Sequence, residues 1–253
     1  MKKHIPNLFT LLNLFSGMIA VIMAATDELL LAAFFVFLGI FFDFFDGFFA
    51  RKLKVEGELG KQLDSLADMV TSGVVPGIIM FQLMLYASKG MWFMELSCET
   101  GNWQEYQDTY FYFIPFSAFI ITLAAAYRLA NFNIDTRQST SFIGLPTPAF
   151  SIFIMSLPLI LFYADNMLVI ELLQNIYVLL AITLLGSYLM NAEIPLFSLK
   201  FKNYKWEGNQ IKYIFLILTL FLLIGLRTVA IPLVIILYVL LSIVDNSMHK
   251  KRD

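Results

Sequence analysis

Four aspartates in two neighbouring apolar segments are the residues of this chain whose types and spacing most clearly indicate chemistry. The first segment carries Asp43 and Asp46, and the second carries Asp64 and Asp68. A charged side chain at the centre of a membrane helix costs about 2.5–3.5 kcal/mol on insertion scales. Arg51 is the one nearby cation of the first segment, so a bound divalent metal ion is the favoured source of compensating charge.

The spacing of the aspartates puts each pair on one face of a helix. Asp43 and Asp46 are three residues apart, and Gly60, Asp64 and Asp68 follow one another at intervals of four. Side chains three and four residues apart are neighbours on a helix surface. The short loop between the segments forces an antiparallel hairpin in which carboxylates of both helices face each other. Oxygen ligands of this kind suit Mg²⁺, Mn²⁺ or Ca²⁺, and two such ions would clamp a phosphate or pyrophosphate.

The simpler interpretation is that aspartates near helix ends are solvated at the membrane surface. Four aspartates at helical spacing favour a metal site instead, because Gly47 and Ala50 on the same faces are small enough for a ligand to approach the backbone closely. Arg51 is either a phosphate contact or a basic residue flanking a membrane segment. Asn7 and Thr10 belong to a polar stripe with Asn13, which either touches a nucleotide or caps and packs the first helix.

The elements that must position these residues are membrane helices. The chain has 253 residues, of which 59% are apolar and 14% charged, and its mean hydropathy is +0.77. Soluble domains are about a quarter charged. We therefore predict an all-α, polytopic membrane bundle of about eight transmembrane helices forming a single domain, 1–253. The predicted spans are about 6–26, 29–53, 60–87, 110–132, 146–164, 167–190, 210–226 and 228–247.

The basic residues predict the orientation of these spans. With eight spans and a cytoplasmic N-terminus, all of the 17 Lys and Arg residues except Lys89 and Arg227 fall on the cytoplasmic side. The positive-inside rule therefore favours cytoplasmic positions for both termini. It also places the aspartates at the cytoplasmic ends of their helices.

The aspartate segments resemble the signature of the CDP-alcohol phosphotransferases, D-x-x-D-G-x-x-A-R-x8-G-x-x-x-D-x-x-x-D. Every defined position of that signature is present between residues 43 and 68. The resemblance implies an integral membrane enzyme that displaces CMP from a CDP-linked lipid or alcohol. It implies that Asp43, Asp46, Asp64 and Asp68 hold two divalent ions, Mg²⁺ or Mn²⁺ with Ca²⁺ as a substitute, and that Asp68 is the general base. It places Gly47, Ala50, Arg51 and Gly60 along the nucleotide and its phosphates.

Blocks outside the signature resemble the membrane-embedded phosphatidylserine synthases of this family. They are IPNLFTLLNLFSGMIAV at the first helix, SGVVP after Asp68, RLANFN from Arg128, and FIGLPTP from Phe142. Asn131 departs from this pattern, since a basic residue is expected at its position. The resemblance implies transfer from CDP-diacylglycerol to L-serine, giving phosphatidylserine and CMP. Arg128 and Asn131 are then candidate contacts of the acceptor, since a guanidinium suits the carboxylate of serine. The alternative for Arg128 is a basic anchor at the membrane surface.

Other acceptors and other classes of protein remain open on the sequence alone. A related enzyme would use glycerol 3-phosphate or an inositol compound, and a more remote alternative is an ion-coupled transporter. A transporter would carry acids toward the bilayer midplane in repeated halves. We expect membrane lipid and small molecules as partners rather than nucleic acid. We also expect a homodimer in the bacterial inner membrane, with the active site facing the cytoplasm.

Overall fold

The computed structural model of the protein is nearly all helical and describes residues 4–93, 113–135, 142–164, 166–197, 206 and 209–249. Its α-helices are α1 (His4–Ala25), α2 (Leu29–Leu53), α3 (Glu58–Asp68), α4 (Val75–Lys89), α5 (Ile120–Ile134), α6 (Thr147–Tyr163), α7 (Met167–Leu173), α8 (Ile176–Asn191), α9 (Gln210–Leu226) and α10 (Ala230–His249). A π-helical turn, Met69–Val74, joins α3 to α4, and 3-10 turns at Pro115–Phe119 and Arg227–Val229 precede α5 and α10. Two short strands, β1 (Phe142–Ile143) and β2 (Pro195–Leu196), pair antiparallel.

The apolar helices confirm the predicted class of fold. Among the described residues, five helical segments are long and apolar enough to cross a membrane when α3 with α4, and α9 with α10, are each counted as one segment. The pair α7 and α8, bent by 70°, would be a sixth. Helices satisfy their own backbone hydrogen bonds, which hydrocarbon requires. Helix covers most of each predicted span, although residues 110–112 lie outside the described ranges. The number of crossings and the side of the termini stay predictions, since many basic residues that carry the orientation argument also lie outside those ranges.

The last two helices form a hairpin. The ring centroids of Phe215 in α9 and Tyr238 in α10 lie 5.7 Å apart. A straight helix would separate these residues by about 35 Å, so the chain must fold back between them. It does so at Arg227, whose φ of 49° and ψ of −118° end α9. This reversal agrees with the prediction of two separate apolar segments here.

Small residues bring α1 and α2 close together. Phe9 of α1 stacks on Phe49 of α2 at 5.1 Å, and Asn13 lies against Gly39, so the two helices run antiparallel. Many buried positions of the two helices lack bulk, which lets the backbones approach closely. They are Gly17, Ala20, Ala24, Ala32, Ala33 and Gly39.

Gln82 of α4 connects that helix to the turn between α1 and α2. Its side chain is buried, and its Nε2 donates a hydrogen bond to the carbonyl of Ala24 at 2.9 Å. Its Oε1 accepts a hydrogen bond from the backbone N–H of Phe93 at 3.1 Å. This polar contact lies at the end of the α1–α2 pair opposite to the one that carries the aspartates.

The π-helical turn follows Asp68 directly. Pro76, in the first turn of α4, has no N–H to give to the carbonyl of Ser72, so a regular α-helix would already lack one hydrogen bond here. Such π turns inside helices occur frequently at functional sites. The turn changes the direction in which α3 presents its side chains relative to the buried helix α4.

Candidate active site

A tight connection turns the chain from α2 into α3, and both of these aspartate-bearing helices pack on α1. Lys54 ends α2 in the left-handed conformation, with a φ of 55°, and its N–H returns to the carbonyls at the end of that helix. Val55 donates its N–H to the carbonyl of Ala50 at 3.0 Å, and α3 begins at Glu58. The predicted hairpin is therefore present, and Gly57 precedes the second helix as its N-cap.

Three of the four predicted carboxylates form one cluster. Asp43, Asp64 and Asp68 each offer an oxygen, and these oxygens all lie within 4.8 Å of one another. Two unit charges at that distance repel by about 3–4 kcal/mol at an effective dielectric constant of about 20. Oδ1 of Asp64 is buried and has no hydrogen-bond partner in the described part of the chain. The donor set and this unsatisfied oxygen fit a divalent cation.

Asp46 lies beside the cluster and has a partner of its own. Its Oδ2 accepts a hydrogen bond of 2.6 Å from the hydroxyl of Thr10 in α1, and its side chain is only 7% exposed. The sequence pattern alone placed all four carboxylates face to face. In the structure, Asp46 is bonded to Thr10 of α1 and lines the adjoining cavity together with Asp64, and its role as a metal ligand stays a prediction.

Asn13 is a residue that the sequence assigned only to a polar stripe. Its Nδ2 donates a hydrogen bond to Oδ1 of Asp68 at 3.2 Å, across 55 positions of sequence. Thr71, which no motif indicated, donates its hydroxyl hydrogen to Oδ1 of Asn13 at 2.8 Å. The three-residue spacing of the stripe is the signal that could have led from Thr10 to Asn13.

A cavity of about 620 Å³ opens beside the aspartates. All six residues expected along the nucleotide line it: Asn7, Thr10, Gly47, Ala50, Arg51 and Gly60. Asp46 and Asp64 contribute carboxylates, and Phe132 and the loop from Val55 to Glu58 complete the wall. The structure therefore brings the predicted residues to one place, and their individual roles stay predictions.

Two glycines of the cavity wall, Gly47 and Gly60, leave space beside neighbouring polar side chains. A Cβ atom built on Gly47 would lie 3.3 Å from Nη1 of Arg51, whose side chain folds back along its own helix. A Cβ atom built on Gly60 would lie 3.6 Å from Oδ1 of Asn7. The signature positions occupied by glycine thus leave space next to the two polar side chains that face the cavity.

Lys61 and Asn133 were missed by the sequence reasoning. Lys61 lines the cavity, and its Nζ donates a hydrogen bond of 2.6 Å to the carbonyl of Asn133 at the end of α5. The side-chain amide of Asn133 also bonds the hydroxyl of Ser65, at 2.9 Å. These contacts hold the end of α5 against α3 and place Phe132 in the cavity wall.

The two predicted acceptor residues lie elsewhere on α5. Arg128 is 7% exposed, and its Nη1 donates to the carbonyls of Ile143 and Met190, both at 3.0 Å. Asn131 is half-buried, and its carbonyl accepts the N–H of Asp135. Neither is among the residues that line the cavity. Their proposed contact with an acceptor stays a prediction.

Known proteins resemble this chain over most of its length. The family model for CDP-alcohol phosphatidyltransferases matches residues 3–186. A CDP-diacylglycerol--serine O-phosphatidyltransferase of Bacillus subtilis is 31% identical over 204 residues, covering 80% of this chain and 92% of that protein. The enzyme of the same name from Helicobacter pylori strain J99 is 31% identical over 152 residues, covering 59% and 55%. An archaetidylserine synthase of Methanothermobacter thermautotrophicus is 29% identical over 164 residues, covering 64% and 60%.

The fold and site define a multi-pass integral membrane protein with a cluster of acidic residues beside a cavity. The chain belongs to the CDP-alcohol phosphatidyltransferase family and is a transferase.

Proposed function

We propose that the protein transfers the phosphatidyl group of CDP-diacylglycerol to the hydroxyl group of L-serine, forming phosphatidylserine and CMP. The observation that carries the proposal is the carboxylate cluster, because Asp64 belongs both to it and to the wall of the cavity. A nucleotide in the cavity would therefore have its phosphates next to the acidic residues. The names of the relatives from Bacillus subtilis and Methanothermobacter thermautotrophicus support serine as the acceptor.

A divalent metal ion fits the cluster. Asp43, Asp64 and Asp68 would hold it through oxygens that already lie close together, and Asp46 is the fourth proposed ligand, from the cavity side. We propose two ions, Mg²⁺ or Mn²⁺, since carboxylate oxygens suit both, and Ca²⁺ as a substitute. When bound, the metal neutralises charge on the pyrophosphate and on the departing CMP.

The donor would lie with its nucleotide in the cavity and its acyl chains in the bilayer. A volume of about 620 Å³ is in the usual range for small-molecule sites, roughly 300–1,000 Å³. Arg51 supplies positive charge for the phosphates, while Asn7 and Thr10 offer hydrogen-bonding groups. Phe44 and Phe48 of α2 are exposed and form an apolar surface that the acyl chains would contact.

Asp68 is the proposed general base. Its carboxylate accepts the proton of the serine hydroxyl while the serine oxygen bonds to the phosphorus that carries diacylglycerol. The bond from that phosphorus to the bridging oxygen breaks, and CMP leaves with the electron pair. A base must lie within hydrogen-bond reach of the proton it removes, and Asn13 already holds Asp68 by one oxygen.

The acceptor would bind at the part of the cavity wall to which α3 and the end of α5 contribute Lys61 and Phe132. Lys61 and Arg51 are the cations among the residues lining the cavity, and Glu56 and Glu58 are acidic residues at the same wall. Such mixed charge suits the zwitterionic serine. Arg128 has committed Nη1 to two carbonyls, so binding an acceptor carboxylate would need its other nitrogens. Our proposal of Arg128 and Asn131 as acceptor contacts rests on the family resemblance.

We further propose that the cavity faces the cytoplasm, from which serine arrives, and that the protein is a homodimer of the bacterial inner membrane. The distribution of Lys and Arg in the sequence supports the orientation. The family resemblance supports the dimer.

The proposal is tested with purified protein in detergent, CDP-diacylglycerol, Mn²⁺ or Mg²⁺, and a panel of alcohols. We expect CMP release that depends on serine, with phosphatidylserine identified by mass. The panel includes glycerol 3-phosphate and inositol compounds, and a reaction with one of these but not with serine would refute the serine assignment.

A pair of acidic substitutions tests the general base. Asp68→Asn keeps the size of the side chain but supplies no carboxylate, so we expect CMP release to fall to background. Glu171→Gln removes an exposed acid of α7, outside the proposed site, and should leave turnover unchanged. Full activity of the Asp68→Asn protein would contradict the role of Asp68.

A further inference from the structure

A chain of hydrogen bonds leads from Asp68 into the packed interior between α1 and the π-helical turn. Asn13 donates to Oδ1 of Asp68 at 3.2 Å, and Thr71 donates to Oδ1 of Asn13 at 2.8 Å. The side chains of Asn13 and Thr71 are both fully buried, with no solvent exposure. Two residues outside the signature are therefore connected to the proposed general base, Asn13 directly and Thr71 through Asn13.

The donor and acceptor pattern gives the amide of Asn13 one orientation. An ionised carboxylate only accepts hydrogen bonds, so the NH₂ group of Asn13 must face Asp68. The amide oxygen then faces Thr71, whose hydroxyl is a donor. The hydroxyl of Thr71 also lies 3.3 Å from the backbone carbonyl of Asn13, so both of its nearby acceptors belong to α1. Reversing the amide would put two acceptors, Oδ1 of Asn13 and Oδ1 of Asp68, against each other.

Close packing keeps these side chains in place. A Cβ atom built on Gly39 of α2 would lie 2.7 Å from Cγ2 of Thr71 and 2.8 Å from Oδ1 of Asn13. A Cβ atom built on Gly17 of α1 would overlap the hydroxyl of Thr71. The absence of a side chain at both glycines thus allows Thr71 to enter the interface between the first two helices.

We infer that Asn13 and Thr71 are positioning residues that hold the carboxylate of Asp68 by its Oδ1 and so fix the orientation in which this carboxylate meets the metal and the proton of the acceptor. This inference rests on the proposed function of Asp68 as general base. Neither Asn13 nor Thr71 lines the cavity proposed for the donor. Their effect on the reaction should therefore pass through Asp68 and not through donor binding.

The test compares two substitutions of Thr71. Valine has the shape of threonine without its hydroxyl, whereas serine keeps the hydroxyl and loses the methyl group that packs on Gly39. Loss of a hydrogen-bonding partner behind a metal-ligating residue typically costs about 10- to 100-fold in metal affinity or activity. We expect Thr71→Val to lower kcat by that factor with little change in KM for CDP-diacylglycerol, and Thr71→Ser to stay within about threefold of the unmodified protein.

Thr183→Val is the matched control. Thr183 of α8 is also fully buried, but its hydroxyl has no hydrogen-bond partner in the described part of the chain. The same loss of a hydroxyl should leave kcat unchanged there. Equal kcat values for Thr71→Val and the unmodified protein would refute the inference. So would equal losses in Thr71→Val and Thr71→Ser, since these would indicate a role in packing rather than hydrogen bonding.

Two further measurements keep the result clear. If Thr71→Val does not accumulate, Asn13→Leu removes the same chain of hydrogen bonds and carries the same expectation for kcat and KM. Mn²⁺ binding, measured by electron paramagnetic resonance without substrates, should persist in Thr71→Val because all four aspartates remain and only the support of Asp68 is weakened. Complete loss of Mn²⁺ binding would refute the inference. All variants are assayed with whichever alcohol the unmodified protein accepts. If serine does not react, the proposed acceptor is contradicted, but the variants still test the positioning role of Asn13 and Thr71 with the alcohol that does react.

Discussion

Replacing Gly39 by alanine adds one methyl group where α1, α2 and the π-helical turn meet. The new Cβ atom would lie 2.7 Å from Cγ2 of Thr71 and 2.8 Å from Oδ1 of Asn13. Ordinary contacts between such atoms are about 3.5–4.0 Å, so a neighbour must move by about 0.7 Å or more. Both neighbours are fully buried, and Asn13 is bonded to Asp68. Neither can move out into solvent without a shift of the helices around it.

The expected cost follows from two opposing terms. Extra methyl groups in a packed interior usually cost about 1–3 kcal/mol, while glycine to alanine in a helix gains up to about 1 kcal/mol. Gly225 of α9 separates the terms, because a Cβ atom built there meets nothing within 4 Å. We expect Gly39→Ala to be less stable than Gly225→Ala by about 1–3 kcal/mol, the steric cost alone.

The assay is thermal unfolding of both variants in one detergent at one scan rate, beside CMP release. Gly39→Ala should unfold at a lower temperature than the unmodified protein and lose activity, since displacement of Asn13 moves Asp68. Gly225→Ala should unfold at the same temperature or slightly above it. If Gly39→Ala matched Gly225→Ala in both measurements, the close packing of Thr71 and Asn13 under α2 would be wrong.

Three further predictions concern the site and its supports. Thr10→Val should lower kcat/KM for CDP-diacylglycerol by about 10- to 150-fold, the value of a hydrogen bond to a charged group, because Thr10 holds Asp46. Thr10→Ser keeps the hydroxyl and should retain kcat/KM. Equal losses in the two variants would refute the role of the hydrogen bond. Chelation with EDTA should abolish CMP release, and added Mn²⁺ or Mg²⁺ should restore it, whereas activity after complete chelation would contradict the metal site. Arg128→Met leaves the carbonyls of Ile143 and Met190 unpaired and should destabilise the protein by about 1–3 kcal/mol for each. Thermal unfolding measures this loss. A higher KM for serine at unchanged stability would instead support Arg128 as an acceptor contact.

The helical hairpin and its aspartates could be predicted because their geometry is local. Intervals of three and four residues determine which side chains share a face of one helix. The short connection from Lys54 to Gly57 then requires α3 to turn back toward the aspartates of α2. Helical spacing and the short connection therefore bring Asp43, Asp64 and Asp68 together, and they also place the signature glycines Gly47 and Gly60 at the cavity wall.

The partner of each aspartate could not be predicted in this way. Asp46 bonds to Thr10, and Asp68 bonds to Asn13, over separations of 36 and 55 positions. These pairings depend on how α1 is rotated against α2 and α3. The sequence likewise predicts that Arg128 is a surface anchor or an acceptor contact. In the structure, its Nη1 donates to the carbonyls of Ile143 and Met190, which belong to two distant segments.

The sequence by itself determined an apolar helical bundle with acidic residues on one face of each of two adjacent helices, since composition and helical periodicity require no knowledge of distant contacts. Only the tertiary structure decided that Asn13 and Thr71 reach Asp68 and that Thr10 takes Asp46. The physical reason is that α1 and α2 are apolar around most of their circumference, as membrane helices are. Their hydrophobic pattern therefore does not by itself fix how the helices are rotated against each other. Close packing at small residues such as Gly17 and Gly39, together with the Thr10–Asp46 hydrogen bond, accompanies the rotation that is observed.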